Sequence, residues 1–192
     1  MFIFEQSRKM ERTAIKMHFA SDEDYFAFEE KSETRHELIN GNLYQMSGVS
    51  IFHNDIVLNM LLLLSKQLQK DKYKIAFESY KFRTPNGNFF YPDIMVCERD
   101  ATKYYAEKPV LIAEVLSQST RKFNLVDKFL QYQKAEILQY YLCIEPEQQV
   151  VIFYFKTGQG EWMTETYTQA DDVLDLPHLS STITLKDIYH PA

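Results

Sequence analysis

Cysteine is scarce in this chain. Its 192 residues hold two, Cys97 and Cys143. Two thiols make no disulfide framework and supply too few ligands for a Cys-based structural zinc site. Each lies in an apolar, strand-like run (IMVC and YYLCI), which predicts buried free thiols in a reducing compartment. Glycine and proline are also sparse, at 5 and 6, and that excludes a low-complexity or linker-like chain. No long apolar run is present. The longest, Ile56 to Leu64, is broken by Asn59 and falls far short of the ~20 residues a membrane-spanning helix needs. The first seventeen residues carry scattered charges and no apolar core, so they do not read as a signal peptide. Positive charge is not in excess either: 21 Lys and Arg against 27 Asp and Glu leave a net charge of −6. That excludes histone-like binding through bulk phosphate neutralisation, though not a local basic cleft. The G-x-S-x-G elbow, the Walker glycine loop, the G-x-G-x-x-G fingerprint and C-x-x-C are all missing. A cytoplasmic protein without membrane association or organic cofactor is expected. Residues 1–20 read as an N-terminal arm, or as sequence ahead of the true start, and 21–192 as a single domain.

What is present is a mixed pattern of helices and strands. Ser21 with Asp22, Glu23 and Asp24 behind it reads as a capped helix start, running to about Arg35. ELINGNLYQMSG reads as two short strands around an Asn40-Gly41 turn. Phe52 to Lys70 has a helical apolar period. Tyr73 to Phe82 and Phe89 to Val96 read as strands around the turn at Thr84 to Asn88, with Pro92 marking an edge or bulge. Val110 to Leu116 reads as a buried central strand, Arg121 to Ala135 as a helix and Leu138 to Ile144 as a strand. Val150 to Lys156 and Trp162 to Thr168 read as a hairpin, Val173 to Leu179 as a loop or late strand, and Leu185 to Tyr189 as a terminal turn. The strand–helix–strand unit over 110–144 is expected to be a right-handed parallel crossover. The fold class is α/β, a mixed sheet flanked by helices, with an added N-terminal helix-hairpin and a C-terminal hairpin.

Two acids stand out. Asp93 opens the apolar run IMV, and Glu114 interrupts VLIAEVL. Carboxylates are rarely buried without a partner. Two of them on neighbouring strands repel unless a cation lies between them, and oxygen ligands favour Mg²⁺, with Mn²⁺ as a substitute. Lys128, on the following helix, is placed to balance charge at such a site. The competing reading is structural: Lys128 paired with Asp127 or Glu136, Glu37 with Arg35 or Lys31, and His53 as a helix cap. Phe89, Phe90, Tyr104 and Tyr105 fall near the site in sequence and are candidates for stacking on bases, with core packing as the alternative.

Pro92-Asp93, Glu114-Val-Leu-Ser117, Ser119-Thr120, Lys128 and Tyr132, in that order, resemble the Uma-two family of restriction-endonuclease-like proteins in the PD-(D/E)xK nuclease superfamily. Glu37-Leu-Ile-Asn-Gly41, the Met46-Ser47 to His53 link and YYLCIEPE at 140–147 extend the resemblance over most of the chain. It implies a restriction-endonuclease-like core with Asp93 and Glu114 as metal ligands, the Val115 carbonyl as a third and Glu37 as an additional acid. Lys128 stands in for the superfamily lysine, whose usual place two residues after the acid is held by Leu116. Asn124 takes a position where the family carries Asp.

The expected activity is Mg²⁺-dependent hydrolysis of DNA phosphodiesters by metal-activated water, with Asp93, Glu114, Lys128 and Glu37 as the catalytic set. A homodimer is expected because a duplex has two strands to cut. The alternative is a nuclease fold that binds nucleic acid or a protein partner without efficient cleavage. The basic residues Arg121, Lys122 and Lys128 would provide the local patch for DNA.

Overall fold

Asn40 and Gly41 take positive φ values of 50° and 75°, the backbone of a two-residue hairpin turn whose twist matches its strands. They join β2 (His36–Ile39) to β3 (Asn42–Gln45). In the computed structural model, which describes residues 14–99, 102–117 and 120–190, this hairpin is part of the first of two six-stranded sheets. β1 (Ala14–Lys16) pairs with β3, β6 (Phe89–Phe90) with β2, β5 (Lys81–Arg83) with β6, and β8 (Tyr105–Ala106) closes the edge. Of the segment expected as an arm, residues 1–13 lie outside the described residues, and Ala14–Lys16 are part of this sheet. Helix α1 (Asp22–Lys31) starts at Ser21, whose hydroxyl accepts the Asp24 N–H at 3.2 Å. It buries Tyr25 against Phe89.

The second sheet runs β12 (Trp162–Tyr167), β11 (Val151–Lys156), β10 (Tyr140–Ile144), β9 (Pro109–Val115), β7 (Ile94–Glu98), β4 (Tyr73–Phe77). Its β9/β10 pair is parallel, as the crossover requires, and its other pairs are antiparallel. A separate hairpin, β13 (Val173–Leu176) and β14 (Ser181–Thr184), leads into α4 (Leu185–Tyr189).

Side chains alternate across this sheet and give it two buried faces. Ile94, Val96, Leu111, Ala113, Leu142 and Ile144 pack beneath α2 (Ile51–Gln67). Met95, Cys97, Ile112, Leu116, Tyr141 and Cys143 face Phe82 and Phe90 of the first sheet and Tyr132 of α3 (Phe129–Tyr132). Both cysteines are buried and unbridged.

Three expected elements differ. The strand read over Tyr73–Phe82 breaks at Glu78, whose φ is +46° and whose N–H donates to the Asp93 carbonyl at 3.2 Å. The chain leaves the second sheet there and enters the first. Likewise, Phe89–Val96 is two strands in two sheets, with Tyr91-Pro92-Asp93 as the bridge between them. Pro92 has no N–H to give a ladder, so the crossing falls where pairing is weakest. The helix read over 121–135 contains a six-residue π turn, Phe123–Lys128, before α3. Among the described residues, no helix is long and apolar enough to cross a membrane.

Phe90 is fully buried between the sheets, edge-on to Tyr132 at 5.1 Å between ring centres. Phe90→Ala is expected to cost about 3–5 kcal/mol of unfolding free energy. Urea denaturation checks this, and a loss below about 1 kcal/mol would contradict the packing described.

Candidate functional site

The register of β7 and β9 brings the two acids together. Ile94 pairs with Ala113, so one step further out Asp93 stands opposite Glu114. Both fall on the face that looks toward the first sheet, by the same alternation that puts Met95 and Ile112 there. Asp93 Oδ2 accepts the Val115 N–H at 2.7 Å and lies 3.2 Å from His53 Nε2. The chain crossing at Pro92 is therefore what carries Asp93 into the seam between the sheets.

Lys128 reaches the seam from the π turn. Its Nζ lies 2.8 Å from Glu114 Oε1 and 3.0 Å from Glu37 Oε1. Tyr132, four residues on, donates its hydroxyl to Glu114 Oε1 at 2.9 Å, and the Tyr91 N–H donates to Glu37 Oε1 at 3.3 Å. Glu37, Glu114 and Lys128 are all buried. The local pairings considered for Glu37 and Lys128 give way to these long-range ones. All four expected catalytic residues thus line one cleft with Val115, His53 and Asn124.

Burial pushes the Glu114 carboxyl up, to about 7. The Lys128 ammonium opposes that rise, and the charges of Asp93 and Glu37 add to it. For His53, burial works against the charged ring, but the hydrogen bond and charge of Asp93 outweigh it and its pKa is raised. Burial and the neighbouring Glu114 charge hold the Tyr132 hydroxyl well above its ordinary value, so it stays a donor.

The cleft has a volume of about 500 Å³. Met46 to Ser50 and Glu145 to Gln148 also line it. Arg121 lines it but is ion-paired with Glu145, so the expected patch of Arg121, Lys122 and Lys128 is not a set of uncommitted cations. Phe89 and Phe90 are core residues with no exposed face for a base, and Tyr104 and Tyr105 pack against Phe26. Tyr91 is the aromatic residue of the cleft wall. Ser119 lies outside the described residues. From the sequence, His53 reads as a helix cap or satisfied histidine more readily than as a site residue. Ser50 takes that role, accepting the His53 N–H at 3.3 Å, which leaves the imidazole free to reach Asp93.

Among the described residues, no three His, Cys, Asp or Glu side chains are placed as a ready-made metal cage. The donor chemistry nevertheless fits a divalent cation. Glu114 uses Oε1 for Lys128 and Tyr132, and Asp93 uses Oδ2 for Val115 and His53. No hydrogen bond among the described residues engages Glu114 Oε2 or Asp93 Oδ1. Mg²⁺ is commonly held by one or two carboxylates with water completing its shell, and two unused carboxylate oxygens match that requirement.

Comparison with known proteins identifies the family and the fold. The Uma2 family, described as "Putative restriction endonuclease", matches residues 22–186. Two uncharacterized proteins of Synechocystis sp. are similar. One, slr1290, is 30% identical over 88% of this chain and 90% of its own length; the other, sll1609, is 31% identical over 73% and 82%. A crystal structure from Anabaena variabilis, titled a "putative nuclease belonging to DUF820", superposes with a TM-score of 0.71. It is 18% identical and covers 86% of this chain and 96% of that one. The fold is thus that of a restriction-endonuclease-like protein, and the chain belongs to the Uma2 family.

Proposed function

We propose that this protein is a nuclease that hydrolyses DNA phosphodiester bonds with a divalent metal ion, Mg²⁺ or Mn²⁺, held by Asp93 and Glu114. One observation carries the reading: two carboxylates, one in a central strand and one just ahead of its neighbour, line one cleft, each with an unused oxygen, beside a buried lysine. When bound, the ion would lower the pKa of a water molecule and offset charge on the phosphate. The Val115 carbonyl, at the end of the same strand, is the candidate third ligand, and Glu37 is the reserve acid.

The protein's own groups do the positioning. His53 and the Val115 N–H hold one oxygen of Asp93 and leave the other for the cation. Tyr132 does the same for Glu114. The Lys128 ammonium, fixed between Glu37 and Glu114, places positive charge where negative charge grows as the phosphate is attacked. Water adds to phosphorus as the bond from phosphorus to one sugar oxygen breaks. The added water loses a proton to solvent, and the leaving oxygen gains one, giving a phosphomonoester and an alcohol. Two copies of the chain would supply the two clefts that a duplex cut requires.

Asp93→Asn, Glu114→Gln and Lys128→Gln are each expected to lower Mg²⁺-dependent cleavage of duplex DNA by at least about 100-fold. Undiminished cleavage in all three would sink the assignment. Salt-sensitive DNA binding without turnover under any divalent metal would instead favour a non-cleaving binding module.

The raised Glu114 pKa sets a second outcome. Folded Glu114 holds its proton to about pH 7, whereas unfolded it releases it near the ordinary value of 4.5. Its contribution to stability is therefore present below pH 4.5 and lost as pH rises through 7. Without metal, thermal melts from pH 5 to 8 should show wild type losing stability relative to Glu114→Gln. Mg²⁺ should raise the wild-type melting temperature more at pH 8 than at pH 5, since metal and proton compete for the carboxylate. Parallel pH profiles for the two proteins would contradict this.

A further inference from the structure

Two buried side-chain atoms among the described residues have no hydrogen-bond partner, His53 Nδ1 and Asn124 Oδ1. Both residues line the cleft, and they are 5% and 3% exposed. Buried polar atoms are nearly always paired, because a bond to water given up on folding must be replaced. The His53 ring already has a task, since its other nitrogen holds Asp93. The Asn124 side chain has none. Its backbone is committed on both sides: the N–H donates to the Thr120 carbonyl at 2.8 Å, and the carbonyl accepts the Tyr141 hydroxyl at 2.9 Å. The residue is fixed, and its amide oxygen is left over.

Its position is specific. Asn124 lies in the π turn, four residues before Lys128, and these two are the buried residues of that turn. π turns replace the tighter α-helical winding at a cost in hydrogen-bond geometry and recur at functional sites. Here the turn brings two cleft-lining residues together, the lysine and an asparagine whose oxygen is unpartnered. A phosphate oxygen has no proton to offer an acceptor; a water molecule has two.

We propose that Asn124 is a catalytic residue whose Oδ1 accepts a hydrogen bond from the attacking water and orients it toward phosphorus. This rests on the nuclease reading above. The amide neither gains nor loses a proton: one water proton leaves to solvent as the new P–O bond forms, and the other stays on the oxygen that Asn124 holds.

The test uses the full chain and three measurements: single-turnover cleavage of duplex DNA with Mg²⁺, DNA affinity with Ca²⁺, and thermal melting. Asn124→Leu should cut the cleavage rate at least about 10-fold, as expected for loss of one orienting hydrogen bond. Its DNA affinity should stay within about twofold of wild type, since a contact to water alone adds nothing to DNA binding. Its melting temperature should be equal or higher, because a similar-sized apolar side chain replaces an unpaired amide. Asn124→Asp, which keeps acceptor oxygens and removes the donor, should retain most of the rate. An unchanged rate in Asn124→Leu overturns the proposal, as does a parallel fall in rate and melting temperature, which would mark a structural residue. An Asn124→Asp variant as slow as Asn124→Leu shows that the amide's donor end is used and overturns the acceptor role. A wild type that cleaves nothing under any divalent metal overturns the nuclease reading itself, and this proposal with it; that result is read from wild type alone.

Discussion

The structure turns on the burial of Lys128 between Glu37 and Glu114. Three ionisable groups lie in the seam between two sheets, with Asp93 close by. Removing charges from water costs several kcal/mol per ion, and apolar residues of the same shape often give a more stable protein. As a stability device the arrangement is poor. As a place for the cation proposed above it is consistent, because an incoming ion would take up the charge that Glu114 uncovers when it gives up its proton.

That seam is assembled from segments far apart in sequence. The first hairpin contributes Glu37, the crossing between sheets Asp93, the central strand Glu114 and the π turn Lys128. Each is anchored by backbone geometry rather than by a flexible loop. Asp93 is pinned to the Val115 N–H, and the Lys128 turn is pinned through the Asn124 carbonyl to Tyr141. The buried aromatic layer of Phe90, Tyr132 and Tyr141 supports the helix from below. Groups held by paired strands, a packed turn and direct hydrogen bonds keep a fixed geometry, which the proposed chemistry requires.

Much of this was legible in the sequence because burial leaves a signature. An acid inside VLIAEVL has few ordinary explanations, and Asn-Gly between short apolar runs dictates a hairpin turn. The parallel crossover follows from a strand, a helix and a strand in succession. Sheet membership was not legible. Continuous β-like runs at 73–82 and 89–96 give no sign of which sheet each half joins, and only the turn at Glu78 and the missing N–H of Pro92 divide them. The partners of Lys128 and Glu37 were equally hidden, since nearer opposite charges exist for both and only the tertiary fold excludes them. His53 resembled a capping residue because Ser50 caps the same helix three residues earlier. Phe89 and Phe90 were near the site in sequence but belong to the core, since the short strand they form is sandwiched on both sides.

The most direct measurement is a crystal of the protein soaked in Mn²⁺, with anomalous scattering used to locate the ion. The account predicts one peak in the cleft, at about 2.0–2.6 Å from oxygens of both Asp93 and Glu114, that disappears in Glu114→Gln. A cleft that takes up no ion at saturating Mn²⁺, or a peak that ignores both carboxylates, would contradict it.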